Sequence, residues 1–312
     1  MSVKDEVLRS LLSREGTIVS GQILAEELSC SRMSVSKAVK ELSAEGYAIE
    51  AVKGTGYVLQ VNDMLTEAVL SNDFSIPVFF YGETVSTMQA AKALIADGQE
   101  APFACVAERQ TGGRGRLGRS FYSPEGGVYF SVVLDGRDIP SPDLLTVSAS
   151  LAVASALEKL TGRKADIKWV NDVYVDGLKV TGILTEGIVN MELGGLDKAI
   201  VGIGINLSGR CDLIPDELRG KMGILYPPGK SPVSRSRLAA AVTDELLSLQ
   251  GKPFMDEYRR RCFIIGRDIT VHKAGKEKAA LARGVDDNAH LLVTYKDGTE
   301  EALYSGEVTL TF

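Results

Sequence analysis

The chain has 312 residues, 45% of them hydrophobic, which is long enough for two or three domains with a sizeable core. A net charge of -6 excludes a generally basic nucleic-acid binder, so any DNA contact must come from a local patch. Four scattered cysteines without a CxxC pair, and only two histidines, exclude a structural zinc site and fit a reducing cytoplasm.

The first residues, Met1 to Glu6, carry acids and no apolar core of the signal-peptide kind. No apolar run approaches about 18 residues, so no membrane span is expected. Val7, Leu8, Leu11 and Leu12 share one face of a first helix over about Val3 to Ser13. Ser20 is placed to cap a second helix that runs to about Leu28, with Val19 and Leu24 at the hydrophobic-staple positions. Ser31 caps a third helix, whose buried stripe is Val35, Ala38, Val39 and Leu42 and which Gly46 stops. Tyr47 to Leu59 then alternates around Lys53-Gly54-Thr55-Gly56 as a hairpin does.

Helix, turn, helix with a cationic outer face, then hairpin is the winged helix-turn-helix order. Arg32, Ser34, Ser36, Lys37 and Lys40 on the third helix, with Lys53 and Thr55 on the wing, are the candidate DNA contacts. Residues 1–62 hold seven Lys/Arg and eight Asp/Glu, so bulk charge does not separate DNA binding from protein binding.

Residues 61–76 read as a linker. A strand is expected over Pro77 to Tyr81, a helix over Ser86 to Asp97, strands over Phe103 to Glu108 and Val128 to Leu134, and a long helix from Pro142 to Leu160 closed by Gly162. Close-set strands follow through Ile167–Trp169, Val173–Val175 and, past the Asp176-Gly177 turn, Leu178 onward; Ile183–Val189 and Ala199–Ile205 complete a meander. This order predicts a largely antiparallel sheet with helices on one face. Helices near 233–249 and 254–262 come next. Short strands over Asp268–His272, Lys278–Val285, Leu291–Tyr295, Glu301–Tyr304 and Val308–Leu310 predict a small β-barrel.

Four clusters carry chemistry. The stretch Glu108 to Arg119 packs four arginines and four glycines into twelve residues between two strands. Glycine lets a backbone approach a ligand, and arginine offers forked donors to carboxylate and phosphate. The spacing is neither the Walker pattern nor GxGxxG before a helix. An anionic small ligand, with a loop that orders around it, is favoured over a solvated loop or an RNA-binding patch. Lys168-Trp169-Val170-Asn171-Asp172 and Lys179 surround one hairpin, where lysines can stabilise a phosphoryl group and a carboxylate can hold Mg²⁺; a core tryptophan with flanking lysines is the plain alternative. Ser86-Thr87 opens a helix, where capping is the default role. Gly202-Ile203-Gly204-Ile205-Asn206 ends a strand, with glycines that permit close approach.

Together these motifs resemble biotin–protein ligases, specifically the bifunctional bacterial type that doubles as the biotin operon repressor. The resemblance rests on Ser86-Thr87, Gln110 with Gly113-Arg114-Gly115-Arg116-Leu117-Gly118-Arg119, Lys168 to Asp172, Lys179-Val180-Thr181-Gly182-Ile183-Leu184 and Gly202 to Asn206. It implies a multidomain α+β chain: a winged helix-turn-helix over 1–62, an α+β ligase domain with a mixed, mostly antiparallel sheet over 63–265, and a small SH3-like β-barrel over 266–312. Biotin would be held by Ser86, Thr87, Met88 and Gln110 with Gly113, Arg114, Gly115 and Arg116. Lys179 and Arg116 would meet its carboxylate or the α-phosphate. Lys168, Trp169, Asn171, Asp172, Asn206, Arg119 and Phe121 would lie along the nucleotide, and Asp172 would help hold Mg²⁺.

ATP, Mg²⁺ and biotin, a biotin carboxyl-carrier protein, operator DNA and a ligand-dependent homodimer follow from the same resemblance. Val170 stands where the family commonly has proline, and Phe121 where a tryptophan is expected, which implies retained function with altered nucleotide affinity. The rival readings are a lipoate–protein ligase, a ligand-sensing repressor without catalysis, and a ligase whose N-terminal module binds protein.

Overall fold

The computed structural model describes residues 2–60, 63–115, 118–139, 141–190, 195–273, 276–304 and 306–310. Among these, eight α-helices and fourteen strands form one two-stranded, one five-stranded and one seven-stranded sheet.

The N-terminal unit is built by its caps. Ser2 and Asp5 form a reciprocal capping box on α1 (Val3–Leu12). Ser20 caps α2 (Gly21–Glu27), and the staple residues Val19 and Leu24 are both buried. Ser31 caps α3 (Arg32–Ala44), which buries Val35, Ala38, Val39 and Leu42 as the spacing requires. The wing is β1 (Ile49–Val52) paired antiparallel with β2 (Gly56–Leu59). It crosses the entry to α2 so closely that a Cβ on Gly56 would stand 2.1 Å from the Val19 carbonyl oxygen.

The stretch expected to be a linker contains α4 (Glu67–Asp73), capped by Thr66. Its two adjacent apolar residues serve different cores: Val69 packs into the N-terminal cluster and Leu70 into the central one. The Tyr47 hydroxyl also bonds Thr66 Oγ1 at 3.0 Å. The join is therefore packed rather than loose.

In the central sheet the strand order is β3 (Val78–Thr84), β4 (Phe103–Gln110), β5 (Val128–Asp135), β9 (Gly195–Ile205), β8 (Leu178–Asn190), β7 (Asp172–Val175), β6 (Asp166–Lys168). Only β3 and β4 run parallel, joined by the crossover helix α5 (Thr87–Ala96). Helices cover both faces, not one as the strand order suggested. Phe103 and Cys105 of β4 belong to a cluster with Met88 and Ala91 of α5, whereas Ala104 and Val106 belong to the main core that also holds α6 (Pro142–Thr161) and α7 (Arg235–Leu249). The expectation failed because β4 is buried on both faces and its continuous apolar run names neither. Helix α6, capped by Ser141 and closed by Gly162 in the left-handed region, has the length and apolarity of a membrane span; it is the central core helix, packed on β8 and α7.

After α8 (Met255–Arg261) the last strands, β10 (Asp268–Lys273), β11 (Lys276–Val285), β12 (Leu291–Tyr295), β13 (Glu300–Leu303) and β14 (Glu307–Leu310), form an antiparallel sheet in the order β13-β12-β11-β10-β14. Its edges β13 and β14, four residues each, do not pair with one another among the described residues, so the sheet is open where a closed barrel was expected. Its inner residues Ile269, Leu291 and Val293 join the central core, and the Trp169 indole N–H donates to the Ala289 carbonyl at 2.8 Å.

Burial separates the four cysteines chemically. Desolvation pushes the Cys105 thiol up to about 12 and Cys262 up to about 11, while Cys211 is exposed. Since the thiolate is the nucleophile, an aromatic disulfide reagent at pH 8 is expected to label Cys211 first and to spare Cys105 and Cys262 until the chain unfolds. Peptide mapping checks this, and early labelling of Cys105 would contradict the packing of β4.

Candidate functional site

On the α5 side of the central sheet a cavity of about 830 Å³ opens. Its floor is made of glycine. Gly182 of β8 pairs with Gly204 of β9, and Leu184 pairs with Gly202. A Cβ on Gly204 would lie 2.4 Å from the Phe121 ring, one on Gly182 2.7 Å from the same ring, and one on Gly202 2.6 Å from Met88 Sδ. Bare backbone at these positions is what lets side chains, or a ligand, lie flat on the strands.

At one end stands the start of α5. Ser86 Oγ accepts from the Gln89 N–H at 3.2 Å, so it does cap the helix. Thr87 is buried; its N–H donates to Gln110 Oε1 at 3.0 Å, and its hydroxyl shares a 2.8 Å hydrogen bond with Ser131. Gln110 Nε2 in turn donates to Ser123 Oγ at 3.2 Å. A connected set of polar groups thus faces the cavity from the end of β4.

The glycine–arginine stretch folds back as a narrow loop. Gly115 N–H donates to the Arg119 carbonyl at 2.7 Å and Phe121 N–H to the Gly113 carbonyl at 2.9 Å. Arg114, Gly115, Arg119 and Phe121 line the cavity, and both arginines are exposed. Gly113 does not line it: it is buried behind the loop, where a Cβ would meet the Phe121 carbonyl oxygen at 2.9 Å. Its role there is to let the loop close. Arg116 lies outside the described residues.

The opposite wall comes from β6 to β8. Lys168, Trp169, Asn171, Asp172 and Lys179 all line the cavity. Trp169 is 4% exposed and anchored to Ala289, which makes it mainly a core residue; its peptide bond to Val170 is cis. Asn171 is buried and donates through Nδ2 to the Ile183 carbonyl at 2.6 Å. Lys179 Nζ and Asp172 Oδ1 form an ion pair at 2.5 Å across the β7–β8 turn, both half-buried. Asn206 closes the floor, and its buried Oδ1 has no hydrogen-bond partner among the described residues. Burial pushes the Tyr174 phenol up to about 12, so it stays a neutral hydroxyl at this wall.

Several residues at the cavity or directly behind its wall gave no signal in the chain. Ser131 reaches Thr87 from the neighbouring strand β5. Lys92 of α5 and Glu186 of β8 form an ion pair at the rim. Glu217 and Lys221 come from the 209–234 segment, and Gly306, Val308 and Thr309 from the far C-terminal sheet. Of the charged lining residues among those described, Lys92, Arg114, Arg119, Lys168, Lys179 and Lys221 are cations, against Asp172, Glu186 and Glu217. A chain of net charge -6 therefore presents a cavity with three more cations than anions, which selects anionic ligands.

On the N-terminal unit, Arg32, Lys37 and Lys40 project from the exposed face of α3, and Lys53 and Thr55 from the exposed tip of the wing. Ser36 is half-buried. Ser34 is turned back onto Ser31, their hydroxyls 2.9 Å apart. Met33 stands 83% exposed beside these cations; being uncharged, it gives no signal in a pattern of lysine and arginine.

A cationic, glycine-floored cavity on a mixed sheet, joined to a helix-turn-helix, defines a protein ligase of the biotin and lipoate class with an N-terminal DNA-binding type of module. Residues 81–206 match the Biotin/lipoate A/B protein ligase family, and residues 4–58 match an HTH domain family. The Bifunctional ligase/repressor BirA of Bacillus subtilis is 31% identical, covering 97% of each chain, and that of Escherichia coli is 28% identical over 96% of this chain and 95% of the other. The biotin protein ligase of Aquifex aeolicus, solved with biotin and ATP, superposes with a TM-score of 0.62 at 28% identity, over 75% of this chain and 98% of that one. The chain belongs to the bifunctional ligase/repressor family.

The glycine floor makes a stability prediction. Gly204→Ala forces a methyl group into Phe121 and is expected to destabilise the fold by about 1–3 kcal/mol. Gly195→Ala, which meets nothing within 4 Å, should stay within about 0.5 kcal/mol. Urea unfolding measures both; equal effects would mean that Phe121 does not lie on the floor.

Proposed function

We propose that the chain is an ATP-dependent biotin–protein ligase that forms biotinyl-5′-AMP and transfers biotin to a lysine of a carboxylase carrier domain, and that it also represses transcription in response to biotin. The observation that carries this reading is the convergence of Thr87, Gln110, Arg119, Asn171, Lys179 and Asn206, spread over about 120 positions of chain, on one cationic cavity.

In the first step a biotin carboxylate oxygen bonds to the α-phosphorus of ATP while the bond to the β-phosphate bridge breaks and pyrophosphate leaves. Both reactants are anions, so their approach needs counter-charge and a fixed line of attack. Lys179 supplies an ammonium whose place is set by Asp172. Arg114 and Arg119 supply guanidinium charge from the folded-back loop, and Arg116 is assigned to the same role from its place in the motif. Thr87 and Gln110 offer a donor and acceptor set that suits the ureido ring, with Ser86, Met88 and Gly115 beside it. Phe121, Lys168, Trp169, Asn171 and Asn206 bound the nucleotide end.

Mg²⁺ supplies charge neutralisation at the phosphates when bound with ATP. The Asp172 carboxylate and the Asn206 Oδ1, which has no hydrogen-bond partner among the described residues, are hard oxygens that fit it and would hold it. In the second step the acceptor lysine amine bonds to the acyl carbon, loses a proton, and AMP leaves. No protein nucleophile is required.

The polar set at Thr87 and Gln110 favours biotin over lipoate, which has no ureido group to use it. The cationic face of α3 and the wing supports operator binding, with ligand-dependent pairing of two chains placing two such helices on a palindrome. We assign to the open C-terminal sheet the role of bordering the ligand cavity, which Gly306, Val308 and Thr309 line, and the chain to a reducing cytoplasm, as its free cysteines suit.

The direct test is incubation with biotin, MgATP and a biotin carboxyl-carrier domain. One biotinyl mass increment on the acceptor is expected, and none with lipoate; an increment with lipoate alone would overturn the substrate. Lys179→Ala should slow biotin-dependent pyrophosphate exchange about 100- to 1,000-fold, and a near-wild-type rate would remove Lys179 from the mechanism. Lys37→Ala should make the salt dependence of operator binding shallower, by about 0.9 in the log–log slope for each phosphate left without its counter-charge; an unchanged slope would place DNA elsewhere.

A further inference from the structure

Arg235, the first residue of α7, is the one cation in the chain's buried polar set among the described residues. Its side chain is 8% exposed and bound on every side. Nη1 donates to Glu108 Oε1 at 2.5 Å, Nε to Asp63 Oδ2 at 3.1 Å and Nη2 to the Asp63 carbonyl at 2.7 Å. The Arg235 backbone N–H donates to the remaining Asp63 carboxylate oxygen, Oδ1, at 2.9 Å. One residue thus holds two others that lie far from it and from each other in the chain.

Those two partners sit at informative places. Asp63 lies between the wing strand β2 and the bridging helix α4, at the junction to the helix-turn-helix unit. Glu108 lies on β4, two residues before Gln110, whose Oε1 accepts the Thr87 N–H in the cavity. Glu108 and Arg235 also lie close enough to the buried Tyr129 to act on its ionisation, and Tyr129 meets the edge of Phe121 on the glycine floor, ring centres 6.4 Å apart. Two residues further along α7, Arg237 pairs with Glu15 of the helix-turn-helix unit at 2.8 Å. The first turn of α7 therefore touches the DNA-binding unit, its junction and the strand that carries a cavity residue.

We propose that Arg235 is a positioning residue that clamps the ligand-bearing end of β4 to the junction of the helix-turn-helix unit, so that cavity occupancy and operator affinity act on each other through Glu108–Arg235–Asp63. A planar guanidinium reaches both carboxylates only while their spacing holds. A buried arginine that loses one partner is strongly penalised, so the end of β4 and the junction move together or not at all. Ordering the end of β4 around a ligand then favours one placement of the helix-turn-helix unit, and operator binding favours the ligand equally in return. The inference rests on the ligase and repressor reading given above.

The experiment uses the full chain and a DNA duplex selected from a random pool by the wild-type protein with biotin and MgATP. Operator Kd is measured with and without biotin plus MgATP, and the biotin KM and kcat are measured on the same preparations. The wild-type ratio of the two Kd values is expected to lie in the range of about 5 to 150 typical of allosteric coupling. Asp63→Asn should bring that ratio close to one while KM and kcat stay at wild-type values, because Asp63 does not reach the cavity. Glu108→Gln should bring the ratio close to one and raise the biotin KM with kcat kept. Arg235→Lys, which keeps the charge but cannot fork, should likewise bring the ratio close to one.

A purely structural clamp would lower the unfolding midpoint of these variants and leave the ratio intact, and that result overturns the inference. A wild-type chain whose operator Kd ignores biotin and MgATP overturns the repressor reading itself, and is distinguished by failing before any variant is made.

Discussion

A negatively charged chain that gathers cations around a glycine floor is the constraint from which the rest of the structure follows. Lys179 stands in a partly buried wall, and Asp172 supplies its counter-ion at 2.5 Å across the β7–β8 turn. That pair stands over paired strands stripped to Gly182, Gly202 and Gly204, where any larger residue would strike Phe121 or Met88. The pair and the floor are placed by the same antiparallel register of β7, β8 and β9. Anionic substrates that repel one another in water can lie side by side only on such a surface.

The local grammar of the chain is readable where one signal has one meaning. Ser20 with Val19 and Leu24, Ser31 before its apolar stripe, and Ser141-Pro142 with the closing Gly162 each mark a helix end that the structure shows. The Asp176-Gly177 pair turns β7 into β8. Helix α4 is hidden because Val69 and Leu70 serve two cores and so make no stripe. The two-sided covering of the sheet is hidden because β4 is apolar on both faces. The openness of the last sheet depends on whether β13 and β14 meet, a long-range matter on which four-residue strands are silent.

The site divides in the same way. Residues in compact motifs, such as Lys168 to Asp172 and the arginines of the loop, are visible as unusual composition. Gly113 reads as a ligand contact in the sequence, and in the structure it is buried behind the loop, where a Cβ would meet the Phe121 carbonyl oxygen at 2.9 Å. The Lys92–Glu186 pair and the β14 residues enter the cavity, and Ser131 holds Thr87 from behind it, from elements whose neighbours only the sheet order reveals. Arg235 belongs with them: nothing around it in the chain announces that it meets Asp63 and Glu108.

The most direct measurement is a crystal structure of the chain grown with biotin and MgATP. Density for biotin joined to adenylate is expected along the glycine floor, with the ring system at Thr87 and Gln110, the phosphate beside Lys179, and the base toward Asn206. Density for that ligand at any other place on the chain, with this cavity filled only by solvent, would contradict the assignment.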